Sequence, residues 1–211
     1  MESNFKPLMN KINLIDLNIY EFNIESIDNE LICKQIEQYG SFVGNSGEYL
    51  SDTTHTYFED TLLPISDEIL KLENNIVKCV EAVAEKSYKI SSIWALELTM
   101  GQSVMMHSHK SNHHTHPEEY YSVAYYPRAD ENSASLIFSV DYANTMEVLK
   151  HITPVPGKLV VFNSYLSHMT SRNFSKDPRI VISANLEPLD KNYQPTQDWS
   201  LYHNRPIVPT E

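Results

Sequence analysis

The chain has 211 residues with 16 Lys and Arg against 28 Asp and Glu, a formal net charge of -12, and is 41% hydrophobic and 21% charged. That length suits one domain with a sizeable core, and the acidic balance excludes a nucleic-acid partner, which needs clustered Lys and Arg. No stretch approaches roughly 18 apolar residues and the N-terminus has no basic region followed by an apolar run, so no membrane contact and a soluble, cytoplasmic protein are expected.

Alternation of apolar and polar residues from 11 to 25 predicts a strand, and residues 28 to 39, with Leu31, Ile32, Ile36 and Tyr39, predict a short helix ending at Gly40. The stretch from Ser41 to Asp60 is rich in Gly, Ser, Thr and Asn and reads as a loop. Pro64 then introduces a long helix capped by Ser66. Its apolar residues Ile65, Ile69, Leu72, Ile76, Val80 and Val83 fall at three- and four-residue spacings, which makes one stripe that packs on a sheet. Cys33 and Cys79 lie in these helical stretches, far apart and without a CxxC, and read as reduced core residues.

From Ile90 the pattern changes to short β-branched and aromatic runs separated by turn residues. Strands are predicted at Ser92 to Met100, Ser103 to His107, Tyr120 to Tyr126, Ser135 to Val140, Lys158 to Phe162, Met169 to Phe174 and Arg179 to Leu186. The segment 141 to 153 between them reads as a variable loop. Many short strands after one long helix indicate a mainly β fold with flanking helices, a double-sheet jelly roll of the cupin type. The expected organisation is a single domain over 1 to 211, with an N-terminal strand and helical support over 1 to 89, a jelly-roll core over 90 to 187 and a C-terminal arm over 188 to 211. The arm carries Pro195, Pro206 and Pro209 among scattered aromatics and is expected to wrap the surface or to contact a neighbour, as in a homodimer.

The densest chemical signal is HSHKSNHHTH at residues 107 to 116, which holds five of the nine histidines. Two histidines one residue apart on a strand share a face, so both can reach one divalent ion. His168 follows the apolar run Lys158 to Phe162, and Arg179 follows eleven residues later. A histidine-rich tract alone is also compatible with a solvated loop. The combination of cluster, distant histidine and trailing arginine is more specific.

These motifs resemble those of the iron(II)- and 2-oxoglutarate-dependent oxygenases, built on a double-stranded β-helix and including the prolyl hydroxylases. The likeness runs from Trp94 through Gly101, an HxH at His107 and His109, SVAYY at 122 to 126, PVPGKLVVFNSYLSH at 154 to 168 and RIVISAN at 179 to 185. It implies a site in which His168 is the distal iron(II) ligand and Arg179 pairs with the far carboxylate of 2-oxoglutarate, with Tyr126 or Tyr125 donating to the same cosubstrate. The proximal pair is His107 with His109, His114 with His116, or His116 with Glu118; counting without gaps from Trp94 and Gly101 favours His107. The family's usual HxD or HxE carboxylate is missing from the first of these, and Val181 stands where Arg-x-Ser is expected. The resemblance implies hydroxylation of a small molecule or a protein side chain. A cupin-like metal-binding protein, or a three-histidine dioxygenase that does not use 2-oxoglutarate, is the alternative.

Overall fold

A computed structural model describes residues 18–45, 59–109, 116–142, 146–189 and 205–209. Its helices follow the sequence pattern closely. Helix α1 (Asn29–Tyr39) starts where Asp28 accepts from the Leu31 amide at 3.0 Å and ends at Gly40. Helix α2 (Asp67–Ala84) starts where Ser66 Oγ accepts from the Ile69 amide, with Asp67 and Glu68 in its first turn, where the helix dipole favours negative charge. Of the predicted stripe, Ile69, Leu72, Ile76 and Val80 are fully enclosed, and Ile65 and Val83 at its two ends are half-buried.

Among the described residues, ten strands form two sheets. The larger, in the order β1-β8-β5-β10-β4-β3-β2, contains β1 (Ile19–Asn23), β2 (Ser41–Asn45), β3 (Glu59–Leu62), β4 (Tyr88–Leu98), β5 (Tyr121–Arg128), β8 (Lys158–Asn163) and β10 (Arg179–Pro188). The smaller, in the order β7-β6-β9, contains β6 (Leu136–Tyr142), β7 (Met146–Ile152) and β9 (His168–Thr170). All of the pairings between these strands are antiparallel. Residues 104 to 107 extend the smaller sheet beyond β9: His107 and His168 exchange both backbone hydrogen bonds, at 2.9 and 2.8 Å, and the Thr170 amide donates to the Val104 carbonyl.

Because side chains alternate across a strand, the larger sheet serves two cores. Val123, Tyr125, Leu159, Val161, Ile180, Ile182 and Ala184 face the helices. Ala124, Tyr126, Val160, Phe162 and Val181 face the smaller sheet, where Leu136, Phe138 and Ile152 meet them. The space between the sheets is the jelly-roll interior.

Several elements differ from the sequence reading. The stretch read as a loop from Ser41 to Asp60 contributes β2 and the start of β3, and the segment 141 to 153 supplies the end of β6 and all of β7. Both are short or edge elements whose polar residues conceal the strand pattern. Conversely, Ser103 to His107 makes only isolated bridges and no regular strand. The expected N-terminal strand is found only as β1, since residues 1–17 lie outside the described residues. Of the C-terminal arm, residues 205–208 fold back on the start of α2. Arg205 is buried there against Glu73 at 2.6 Å and donates to the Leu63 carbonyl.

Candidate metal centre

His107, His109 and His168 come together between the sheets, with one ring nitrogen of each within 4.8 Å of the other two. The bridge between residues 104–107 and β9 sets His107 beside His168, their rings 4.2 Å apart at the centroids. Two residues on, the His109 amide donates to the Ser164 carbonyl at 2.8 Å, which returns the second histidine to the same face as the first. Phe162 and Phe138 pack against His168, with centroids at 4.9 and 5.9 Å, and Trp94 lies 5.7 Å from the ring of His109.

The other ring nitrogens are occupied. His107 Nδ1 meets the Met105 carbonyl at 2.8 Å, His168 Nδ1 meets the Leu166 carbonyl at 2.9 Å, and His109 Nδ1 meets Asn185 Oδ1 at 2.6 Å. A carbonyl oxygen only accepts, so each Nδ1 carries the hydrogen and each Nε2 presents a lone pair. His107 Nε2 and His109 Nε2 therefore face each other at 3.2 Å, an unfavourable meeting of two acceptors unless a cation lies between them. Nitrogen ligands roughly 2.1 Å from one metal and at right angles would stand about 3 Å apart, so the separation suits neighbouring ligands of a single ion.

Burial keeps all three imidazoles neutral. It lowers His107, although the Met105 carbonyl opposes the shift, and it takes His109 down to about 4 despite the opposing bond to Asn185. Burial also holds His168 well below the ordinary histidine range, and the two neighbouring histidines push it further down. Neutral imidazole is the form that binds metal.

A second unusual feature lies at the start of β10. Arg179 is 2% exposed, and its guanidinium carbon stands 5.0 Å from the centre of the Tyr126 ring. Among the described residues, Nε and Nη1 of Arg179 and the Tyr126 hydroxyl have no hydrogen-bond partner beyond the approach of these two side chains to each other. Burial lowers the pKa of Arg179 and raises that of Tyr126, and each is partly offset by the other. A buried guanidinium without a counter-anion is costly, and a carboxylate would satisfy both it and the phenol. Tyr125, the other candidate for this contact, points to the opposite face of the sheet and donates to Asn29 Oδ1 on α1 at 2.5 Å.

Of the other proximal-ligand alternatives, His114 lies outside the described residues. His116 and Glu118 face one another at the surface, 3.3 Å apart, and belong to no metal-capable group among the described residues. Ser92, Ser122 and Ser164, which sequence reasoning did not single out, surround Asn185 and His109. The only sequence signal of Ser92 and Ser122 is a small residue at an inward strand position, which packing explains equally well, and Ser164 lies in the turn just after β8.

No protein-family model matches the chain, and no curated protein matches it either. Among solved structures, it is similar to HygX from Streptomyces hygroscopicus with nickel, 2-oxoglutarate and hygromycin B bound, at 13% identity over 82% of this chain and 84% of that one, with a TM-score of 0.61. It is likewise similar to SnoK, a non-heme alpha-ketoglutarate-dependent carbocyclase from nogalamycin biosynthesis, at 12% identity over 92% and 89% of the two chains, with a TM-score of 0.60. A prolyl-4-hydroxylase from Pseudomonas putida matches at 12% identity over 82% and 94%, with a TM-score of 0.54. The chain has the double-stranded β-helix fold of these proteins.

Proposed function

We propose that this chain is an iron(II)- and 2-oxoglutarate-dependent oxygenase, with His107, His109 and His168 as the iron ligands and Arg179 and Tyr126 as the cosubstrate anchor. One observation carries the reading beyond metal binding. The guanidinium of Arg179 is enclosed beside the Tyr126 hydroxyl, with its Nε and Nη1 given no acceptor by another residue, on the strand that also supplies Asn185 to His109. A binding protein or a zinc hydrolase needs no such buried cation, whereas a dicarboxylate cosubstrate does.

Three histidine nitrogens would hold iron(II) through one face and leave the other positions open. When bound, iron and 2-oxoglutarate supply the oxidising power to insert one atom of dioxygen into a substrate C–H bond, releasing succinate and carbon dioxide. The protein's own part is positional and electrostatic. Backbone carbonyls and Asn185 fix the three imidazoles as Nδ1–H tautomers, which directs Nε2 inward. Arg179 and Tyr126 bind the far carboxylate with donors already desolvated, so little reorganisation remains at binding. Phe138, Phe162, Val160 and Val181 enclose the interior and exclude water.

The fold neighbours include HygX, seen with hygromycin B bound, and a viral collagen prolyl hydroxylase. A small molecule or a peptide side chain is the expected substrate. The absence of a carboxylate from the three-histidine cluster supports a second reading, a dioxygenase that does not use 2-oxoglutarate. Incubation with iron(II), dioxygen and 2-oxoglutarate separates the two, because slow succinate release without substrate is expected only of the first. No succinate above the His168→Ala background, from protein that retains iron, would favour the second.

A further inference from the structure

We propose that Asn185 is the positioning residue of this site: its side-chain carbonyl holds His109 in the Nδ1–H tautomer and so makes Nε2 the metal-binding atom. The inference rests on the three-histidine centre proposed above and deepens it.

The amide of Asn185 can face His109 in two ways, with opposite consequences. With Oδ1 toward the ring, Nδ1 must donate and Nε2 keeps a lone pair. With Nδ2 toward the ring, Nδ1 must accept, Nε2 carries the hydrogen, and His109 cannot bind a metal through it. Oδ1 lies 2.6 Å from His109 Nδ1 and also accepts from the Ser122 hydroxyl at 2.8 Å, while Nδ2 donates to Ser92 Oγ at 3.0 Å. Ser122 is fully buried and lies 2.8 Å from Ser164 Oγ, so its hydroxyl is itself held in place. A reversed amide would aim its N–H at the Nδ1–H of the ring; the hydroxyls of Ser92 and Ser122 donate or accept and so fit either orientation, and Ser122 Oγ also lies 3.0 Å from His109 Nδ1. The orientation that frees Nε2 is the one that matches the other two histidines, whose Nδ1 atoms are held by the Met105 and Leu166 carbonyls, and so lets all three Nε2 atoms meet one ion.

The backbone supports the same placement. The pairing of β10 with β4 shifts register between Asn185 and Leu186, which face Ser92 and Ile90 and leave Ser91 as the extra residue. Ser91 Oγ then donates to the Asn185 carbonyl at 3.1 Å. A bulge redirects side chains locally, and this one occurs where Asn185 must reach His109 on another segment. Nothing in the packing of the sheet requires an amide here, since Ile182, Ala184 and Leu186 supply the apolar contacts of this part of the strand on its other face.

Cobalt(II) titrated alone into the metal-free full-length protein tests the proposal, read by visible absorption for affinity and coordination. Asn185→Leu, of similar size but without an acceptor, is expected to weaken cobalt binding by about 10- to 100-fold, the usual effect of losing the partner of a ligating histidine. Asn185→Asp keeps an acceptor and permits no reversed orientation, so it is expected to bind at least as tightly as the wild type. In a His109→Ala background, Asn185→Leu should add little further loss, because its effect passes through His109. Wild-type affinity in Asn185→Leu would overturn the proposal. So would equal weakening in Asn185→Leu and Asn185→Asp, or full additivity with His109→Ala, since any of these would make the residue a general support of the strand. Failure of the wild type to bind one cobalt would instead overturn the three-histidine centre, and with it this inference.

Discussion

Each residue of the proposed centre does a separable task, and substitutions should divide accordingly. Removing His168 takes away the ligand enclosed between Phe138 and Phe162, so His168→Ala is expected to abolish stoichiometric iron(II) binding measured by equilibrium dialysis. Arg179→Ala should leave iron in place and weaken 2-oxoglutarate binding by about 2 to 5 kcal/mol, the usual cost of losing a buried charged contact. Tyr126→Phe removes one hydroxyl and should cost about 1 kcal/mol in the same binding assay. A loss of iron in Arg179→Ala equal to that in His168→Ala would argue against the division. The convergence of the three histidines and the burial of Arg179 concern residues that stand out in the sequence because their types and order are unusual in any chain. Asn185 with Ser92, Ser122 and Ser164 was not, because a contact across 76 residues between His109 and Asn185 depends on which strands pair.

At the scale of elements, the turn before β8 connects the fold to the site. Gly157 has φ +85, its amide donates to the Tyr126 carbonyl at 2.9 Å, and a Cβ there would approach Asn23 Oδ1 to 3.3 Å. Gly157→Ala should therefore destabilise the protein by about 1 to 2 kcal/mol and lower Tm by roughly 2 to 8 °C in a calorimetric scan. An unchanged Tm would show that the turn relaxes without strain. Ser66→Ala should cost about 1 kcal/mol through the lost helix cap, with Gln35 also losing its bond to the hydroxyl. Periodicity made α2, β5, β8 and β10 legible because each buries a continuous face or stripe. The edge strands β2 and β7 lack that signal: Leu149, Lys150 and His151 of β7 are exposed, and Ile152 at its end turns inward as part of the core. Such strands are specified by the neighbour they pair with more than by their own composition.

The whole molecule encloses neutral histidines in the space where an ion would bind, and this links its stability to pH and to metal. His109 titrates near 4 in the folded metal-free protein, below its value in the unfolded chain, and burial shifts His168 in the same direction. The unfolded state then binds more protons as pH falls from about 6.5 toward 4, so stability is fully present above that window and is lost within it. Urea denaturation of the metal-free protein should show this decline between pH 6.5 and 4, and His109→Leu should reduce the slope. Bound metal stabilises the folded state according to its concentration over Kd, so Tm should rise with added iron(II) or cobalt(II) at neutral pH and fall back with a chelator.

The most direct test of the account is an anaerobic titration of iron(II) into the metal-free protein, followed by 2-oxoglutarate, monitored in the visible range. A weak charge-transfer band of the iron-bound cosubstrate is expected in the wild type, and at the same 2-oxoglutarate concentration it should be lost in Arg179→Ala although iron remains bound. Iron binding with no band at saturating 2-oxoglutarate would contradict the account and leave a three-histidine metal centre that does not use this cosubstrate.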